Sequence, residues 1–269
     1  MIIGWLLPFR RRVVQLFSLV ALNGAFLGGQ AKSFCVPVMN CHACAFALFA
    51  CPVGVIVSYA GYQMIPYLLL GTLLLIGVFL GRLLCGWVCP MGFLQDLLHK
   101  IPGRKISLPD WTRYVKYVLL AVTVILLPFL LGGETLWSYC RMCPVSAMQV
   151  TVPGVLSGSS ALSTRTVIKL AVLAFILLLA VVSKRSFCRV FCPVGAMMAP
   201  FNRFSFLTVR PVSGCIACKK CDKLCPTECG PAPAMIAGAA PSLDPECVTC
   251  HACREGCPVI IKARRQQSA

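Results

Sequence analysis

The sequence predicts an all-α membrane bundle of four transmembrane helices, arranged as two parallel repeats and followed by a small α+β domain. Three observations lead there. Apolar residues make up 58% of the 269 positions and charged residues only 12%, with a mean hydropathy of +0.83, values foreign to a water-soluble globule. Four apolar runs, residues 13–29, 65–84, 115–131 and 167–182, approach the length a helix needs to cross ~30 Å of hydrocarbon. Beyond them, eight cysteines fall at strict spacing between positions 215 and 257.

The first run follows Arg10, Arg11 and Arg12, and no small-residue cleavage site separates it from the first cysteines. It therefore reads as an uncleaved helix that leaves the N-terminus in the cytoplasm. Four crossings return the chain to that side, and charge agrees: of 25 Lys and Arg, all but Lys32, Arg141, Arg165 and Lys169 fall on the inner side or its boundary. Lys116 and Lys169 can snorkel and so extend the two shorter runs. The expected location is a bacterial inner membrane, multi-pass, with both termini cytoplasmic. The net charge of +17 follows from this sidedness, with anionic lipid as its partner. Nucleic acid is excluded as a partner, because the basic residues track the membrane and form no patch interleaved with aromatics.

The membrane region, residues 1–206, reads as a duplication, with one repeat over about 12–100 and the other over about 111–203. Cys41-x2-Cys44 recurs 99 residues on as Cys140-x2-Cys143, and Cys85-x3-Cys89-Pro90 recurs 103 residues on as Cys188-x3-Cys192-Pro193. Each half carries one span out and one back, so the repeats run parallel about an axis along the membrane normal. At the inner face, cysteines at i and i+4 share one side of a helix, and the axis gathers Cys85, Cys89, Cys188 and Cys192. They read either as ligands of a further cluster or as small apolar residues packed where Cys-Pro ends a helix. At the outer face the same axis gathers Cys41, Cys44, Cys140 and Cys143. A cluster, disulfides or a thiol relay, and unpaired thiols all fit that set. Cys51, in Cys51-Pro52-Val53-Gly54, is a weaker candidate there, and Cys35 stands alone. The interrupted segment 45–59 predicts a broken or re-entrant helix buried against the bundle.

The domain at 207–269 writes one motif twice: Cys215-x2-Cys218-x2-Cys221-x3-Cys225-Pro226 and Cys247-x2-Cys250-x2-Cys253-x3-Cys257-Pro258. This is the run of a bacterial two-cluster ferredoxin, in which three thiolates wrap one iron-sulfur cube and the fourth reaches the neighbouring cube. Cys215, Cys218, Cys221 and Cys257 are assigned to one 4Fe-4S cluster, and Cys247, Cys250, Cys253 and Cys225 to the other. A zinc ribbon has no use for the third cysteine or the Cys-Pro, and nineteen cysteines in a chain facing the cytoplasm argue for metal over disulfides. Cys229 lies outside the pattern and reads as a spare thiol. Residues 230–241 read as a loosely ordered insert.

The inner Cys-x3-Cys-Pro pair, Trp137 followed by Pro144-Val145-Ser146, and the double ferredoxin run together resemble the NapH-type membrane polyferredoxins. These are the membrane subunits of a quinol dehydrogenase serving periplasmic nitrate reductase. Similar membrane cores occur in a nitrous oxide reductase donor protein, in the methylamine-utilisation polyferredoxin and in copper-reducing oxidase-assembly factors. The resemblance implies a four-helix core, two cytoplasmic clusters, and electron traffic between a quinone pool or cytoplasmic donor and a partner, an iron-sulfur or cytochrome protein of a larger complex. One or two further clusters in the membrane core are expected beside the ferredoxin pair. The thiols at Cys41, Cys44 and Cys143 depart from the NapH pattern. If quinol is a substrate, Glu134 and His42 are the outer groups able to accept its protons. An assembly factor reducing thiols or metal, and a membrane anchor whose ferredoxin part alone is redox-active, are the competing readings. No nicotinamide, flavin or haem-attachment motif occurs, which favours a subunit over a free-standing enzyme.

Overall fold

The computed structural model describes residues 7–24, 32, 34–159, 161 and 163–268, and it is helical. Helix α1 spans Leu7–Leu22. Helices α2 (Pro52–Gly61), α3 (Tyr67–Leu80), α4 (Leu83–Trp87) and α5 (Pro90–Leu98) complete the first half. The second half holds α6 (Asp110–Leu131), α7 (Pro144–Leu156), α8 (Thr164–Val182) and α9 (Pro193–Met198). The cysteine-rich end carries four short helices: α10 (Lys220–Leu224), α11 (Pro231–Ile236), α12 (Ala252–Glu255) and α13 (Pro258–Ser268).

Two helices, α6 and α8, are long and apolar enough to cross a membrane, against the four expected. At 1.5 Å per residue they reach ~33 Å and ~28 Å. Only 17% of the most apolar stretch of each is buried, the reverse of a soluble core helix. Val118, Ile125, Phe129 and Leu130 on α6, with Phe175 and Leu178 on α8, face outward. Each such side chain left in water forgoes ~1.5–3 kcal/mol, so a belt of them points to association with a membrane.

The second expected span is not one helix. Gly81, at φ +54°, ends α3, and α4 restarts two residues later. Fourteen residues of α3 reach only ~21 Å. The tail of the first expected run, residues 25–29, lies outside the described residues. The segment 45–59 is broken as expected: an irregular stretch leads to Cys51, which caps α2, and Pro52, Val53, Gly54 and Val57 are buried.

Helices α6 and α7 each carry a π-helical stretch, at Leu120–Leu126 and Ala147–Thr151. Proline is the cause in both. Pro128 and Pro153 have no N–H for the carbonyl four residues back, so the ladder loosens there. The chain continues as helix through Pro153 to Leu156.

The α+β expectation for 207–269 is corrected: among the described residues there is no strand, only an isolated bridge between Cys35 and Ala50. The extended stretch around 207–212 contains Pro211, which cannot donate to a ladder, and the segment that could have paired with it, after Cys257, is helix α13. The insert at 230–241 is also more ordered than expected. It forms α11, which buries Pro231, Ala232 and Met235.

Candidate functional site

Both four-cysteine runs take the same backbone path. Ala217 and Lys219 in the first, and Thr249 and His251 in the second, hold φ between 44° and 62° at matching positions. Left-handed backbone at a non-glycine residue costs ~1–2 kcal/mol. Four such residues at equivalent places are strain that a group gripped by the turns would justify. A cavity of about 410 Å³ is lined by Cys215, Cys218, Cys221, Cys257 and Cys253. Another, of about 300 Å³, is lined by Cys225, Cys247, Cys250, Cys253 and Cys229. In each, a run's first three cysteines or their counterparts meet the Cys-Pro cysteine of the other run. The two runs pack through Gly256, whose Cβ would stand 1.9 Å from the Leu224 side chain.

Cys229, read from sequence as a spare thiol, stands beside the second run. Its sulfur lies 3.4 Å from that of Cys225 and it lines the same cavity as Cys247. A hydrogen bond from Cys229, outweighing the penalty of burial, draws Cys225 down to about 6.

The membrane part meets this region directly. Trp87 Nε1 donates to Thr249 O at 3.3 Å, and a Cβ on Gly86 would stand 2.3 Å from Val248 O. Asn202 Nδ2 donates to Cys247 O at 2.7 Å and Asp244 O at 3.0 Å. Arg189, 4% exposed, ties Asp110 to Glu228 with contacts of 2.8 and 2.9 Å. The two parts are joined face to face, not tethered by a linker.

At this junction lie Cys85, Cys89, Cys188 and Cys192. Cys192 is within electrostatic range of the other three, and Cys188 of both Cys85 and Cys89. Cys89 and Cys192 occupy the N-caps of α5 and α9, each followed by proline at the first helical position. There the sulfur faces free backbone N–H groups: Gly195 N donates to Cys192 Sγ at 3.3 Å. Gln95, fully buried, donates to Cys188 Sγ at 3.1 Å while accepting from Phe187 N.

Two arginines frame these sulfurs, and sequence reasoning missed them. Arg82 and Arg185 are each 1% exposed. A Cβ on Gly195 would stand 3.1 Å from Arg82 Nη2, and one on Gly92 would stand 3.4 Å from Arg185 Nη2, so each arginine reaches into the opposite half. Their partners also correspond. Arg82 pairs with Glu246 at 3.5 Å, and Glu246 also takes Lys116. Arg185 grips Asp96 through two contacts of 2.8 and 2.6 Å, and Asp96 also takes Arg11 at 2.5 Å. Four cations against two carboxylates leave an excess of two positive charges around four thiols. Arg82 Nε has no hydrogen-bond partner although it is buried. Four thiolates on a dicationic cubane make a dianion, which fits that excess. Among the described residues no three Cys, His, Asp or Glu converge closely enough for a single metal ion. A cubane is the better match, because each thiolate bonds a different corner.

On the other side of the bundle a cavity of about 960 Å³ is lined by Cys41, Cys51, Cys140 and Cys143, with His42 and Glu134 at its edge. Cys44 does not line it. Its sulfur approaches Gln149 O at 3.8 Å, the carbonyl that Pro153 leaves without an i→i−4 donor. Glu134 is ion-paired with Arg141 and its side chain is 92% exposed.

Fold and thiol sites together define a helical, membrane-associated iron-sulfur electron-transfer protein. Residues 62–109 and 167–211 both match the family described as a 4Fe-4S binding domain, one match in each half, each containing a Cys-x3-Cys-Pro motif. The chain is 33% identical to the electron transport protein YccM of Escherichia coli K12, over 71% of this chain and 53% of YccM. To the ferredoxin-type protein NapH of the same organism it is 30% identical, over 65% of this chain and 59% of NapH. To the methylamine utilization ferredoxin-type protein MauN of Paracoccus denitrificans it is 34% identical, over 63% of this chain and 58% of MauN. The chain thus spans little more than half the length of these relatives. No solved structure matches. These relatives and the 4Fe-4S binding domain matches support a NapH-type, ferredoxin-like family.

Proposed function

We propose that this chain is a multi-pass subunit of a redox complex, and that its two ferredoxin-type sites and its four inner thiols form one continuous electron relay. The observation that carries this reading is the junction. Trp87, Asn202 and Arg82 hold the Cys247–Cys253 run directly against the segment bearing Cys85 and Cys89. Clusters bound at these cysteines supply one-electron transfer.

The protein's own residues do the rest. Arg82 and Arg185 neutralise buried negative charge, Gln95 and the N-terminal amides of α5 and α9 hold the sulfurs, and the packed Gly86–Val248 contact keeps water out. In this reading α1, the α3–α4 pair, α6 and α8 are the four passes, the cysteine-rich end lies in the cytoplasm, and the partner is a quinone or another redox protein. Glu134 and His42 are then the proton acceptors for quinol, with Arg141 paired to Glu134.

The test uses the full chain reconstituted in vesicles with a one-electron donor on the cytoplasmic side and an acceptor inside. Cys85→Ala with Cys188→Ala should slow transfer at least tenfold while the ferredoxin spectrum persists. Undiminished transfer by that variant would reduce the membrane part to an anchor.

A further inference from the structure

The cavity on the far side of the bundle repeats the chemistry of the inner site with different residues. Cys51 and Cys143 sit at the N-caps of α2 and α7, with φ/ψ of −76°/128° and −63°/124°. The inner Cys89 and Cys192 have −64°/119° and −80°/109°. All four are followed by proline at the first helical position, in the sequences Cys51-Pro-Val-Gly54, Cys89-Pro-Met-Gly92, Cys143-Pro-Val-Ser146 and Cys192-Pro-Val-Gly195. Gly195 N donates to Cys192 Sγ at 3.3 Å, and Gly54, Gly92 and Ser146 hold the equivalent position after Cys51, Cys89 and Cys143. One local unit that turns a sulfur toward free helix-terminal amides is thus used four times, twice at each site.

The remaining two sulfurs come from segments fixed for the purpose. Gln149 Oε1 accepts from Cys41 N at 2.7 Å, and its Nε2 donates to Asn40 Oδ1 at 2.7 Å, which pins the loop that carries Cys41 into the cavity. Cys140 stands in the turn Tyr139–Met142, one turn before Cys143, and is within electrostatic range of Cys143, Cys51, Cys41 and Lys169. Lys169 and Arg141 line the cavity, and Glu134, largely exposed, pairs with Arg141.

We infer that Cys41, Cys51, Cys140 and Cys143 form a further four-thiolate site for an iron-sulfur cluster, and that Cys44 is no ligand of it. Each thiol releases its proton to water as its sulfur bonds iron. The inference rests on the chain being an iron-sulfur protein, but not on the inner relay.

The experiment counts iron and acid-labile sulfide, with EPR, on the full chain purified anaerobically in detergent and reconstituted with iron and sulfide. At four per cubane the unaltered protein should hold about sixteen irons. Cys51→Ser and Cys140→Ser should each fall to about twelve and lose one signal, with the others intact as evidence of folding. Cys44→Ser should keep the full complement. About twelve irons in the unaltered protein, left unchanged by Cys51→Ser, would overturn this inference and leave the relay standing, whereas about eight would remove both. Loss of iron on Cys44→Ser, or differential alkylation that finds Cys51 disulfide-bonded to Cys140 or Cys143, would also overturn it.

Discussion

Replacing Arg185 by Gln removes one positive charge from the inner thiol site while keeping much of the side chain's length. Arg185 does not touch the ferredoxin region by hydrogen bond, and Asp96 keeps Arg11, so the junction survives. The stability loss should therefore stay below the ~3–5 kcal/mol of an orphaned buried charge. A unit charge ~8 Å from a cluster centre, at an effective dielectric of ~20, contributes about 2 kcal/mol. At ~2.3 kcal/mol per 100 mV this is ~90 mV on a one-electron couple. Reduction adds negative charge, so losing a cation penalises the reduced form and the potential should fall by that amount. Potentiometric EPR titration measures it, and Arg185→Lys should restore most of the shift. If every centre keeps its potential, or one rises, Arg185 does not compensate cluster charge.

Other consequences are equally direct. Glu246→Gln leaves Lys116 and Arg82 buried without their shared carboxylate, and should cost ~3–5 kcal/mol and loosen the cysteine-rich end. Hydrogen exchange across residues 244–253 checks it, and unchanged protection would contradict it. Gly86→Val drives a side chain into Val248 O and should slow transfer between the two parts at least tenfold with the iron content unaltered. Cys229→Ala removes a hydrogen bond to Cys225 and should lower the potential of that centre at constant iron content. Loss of about four irons would instead make Cys229 a ligand.

Where the chemistry fixes the spacing, the sequence was informative. The two Cys-x2-Cys-x2-Cys-x3-Cys-Pro runs and the paired Cys-x3-Cys-Pro motifs announce iron-sulfur chemistry because ligand geometry leaves little freedom between sulfurs. The family match to both halves falls on the second of these. What sequence could not show depends on contacts across long separations. Cys44 approaches Gln149 O and does not line the outer cavity, a contact between positions more than a hundred residues apart. Arg82 and Arg185 looked like ordinary inner-face charges, and only their crossing between halves reveals them as buried. The Cys-Pro-x-Gly or Cys-Pro-x-Ser unit, occurring four times, was the signal that could have promoted Cys51. The break at Gly81 was not readable from the glycine itself, because Gly71 and Gly77 lie within α3 without ending it.

The central claim is that the four sulfurs at the junction hold redox iron next to the ferredoxin pair. Iron and sulfide counts with EPR on the full chain, compared with Cys85→Ser and Cys188→Ser together, test it most directly. The account predicts that the double variant loses about four irons and one signal while two ferredoxin signals remain. An iron content and spectrum identical to those of the unaltered protein would contradict it.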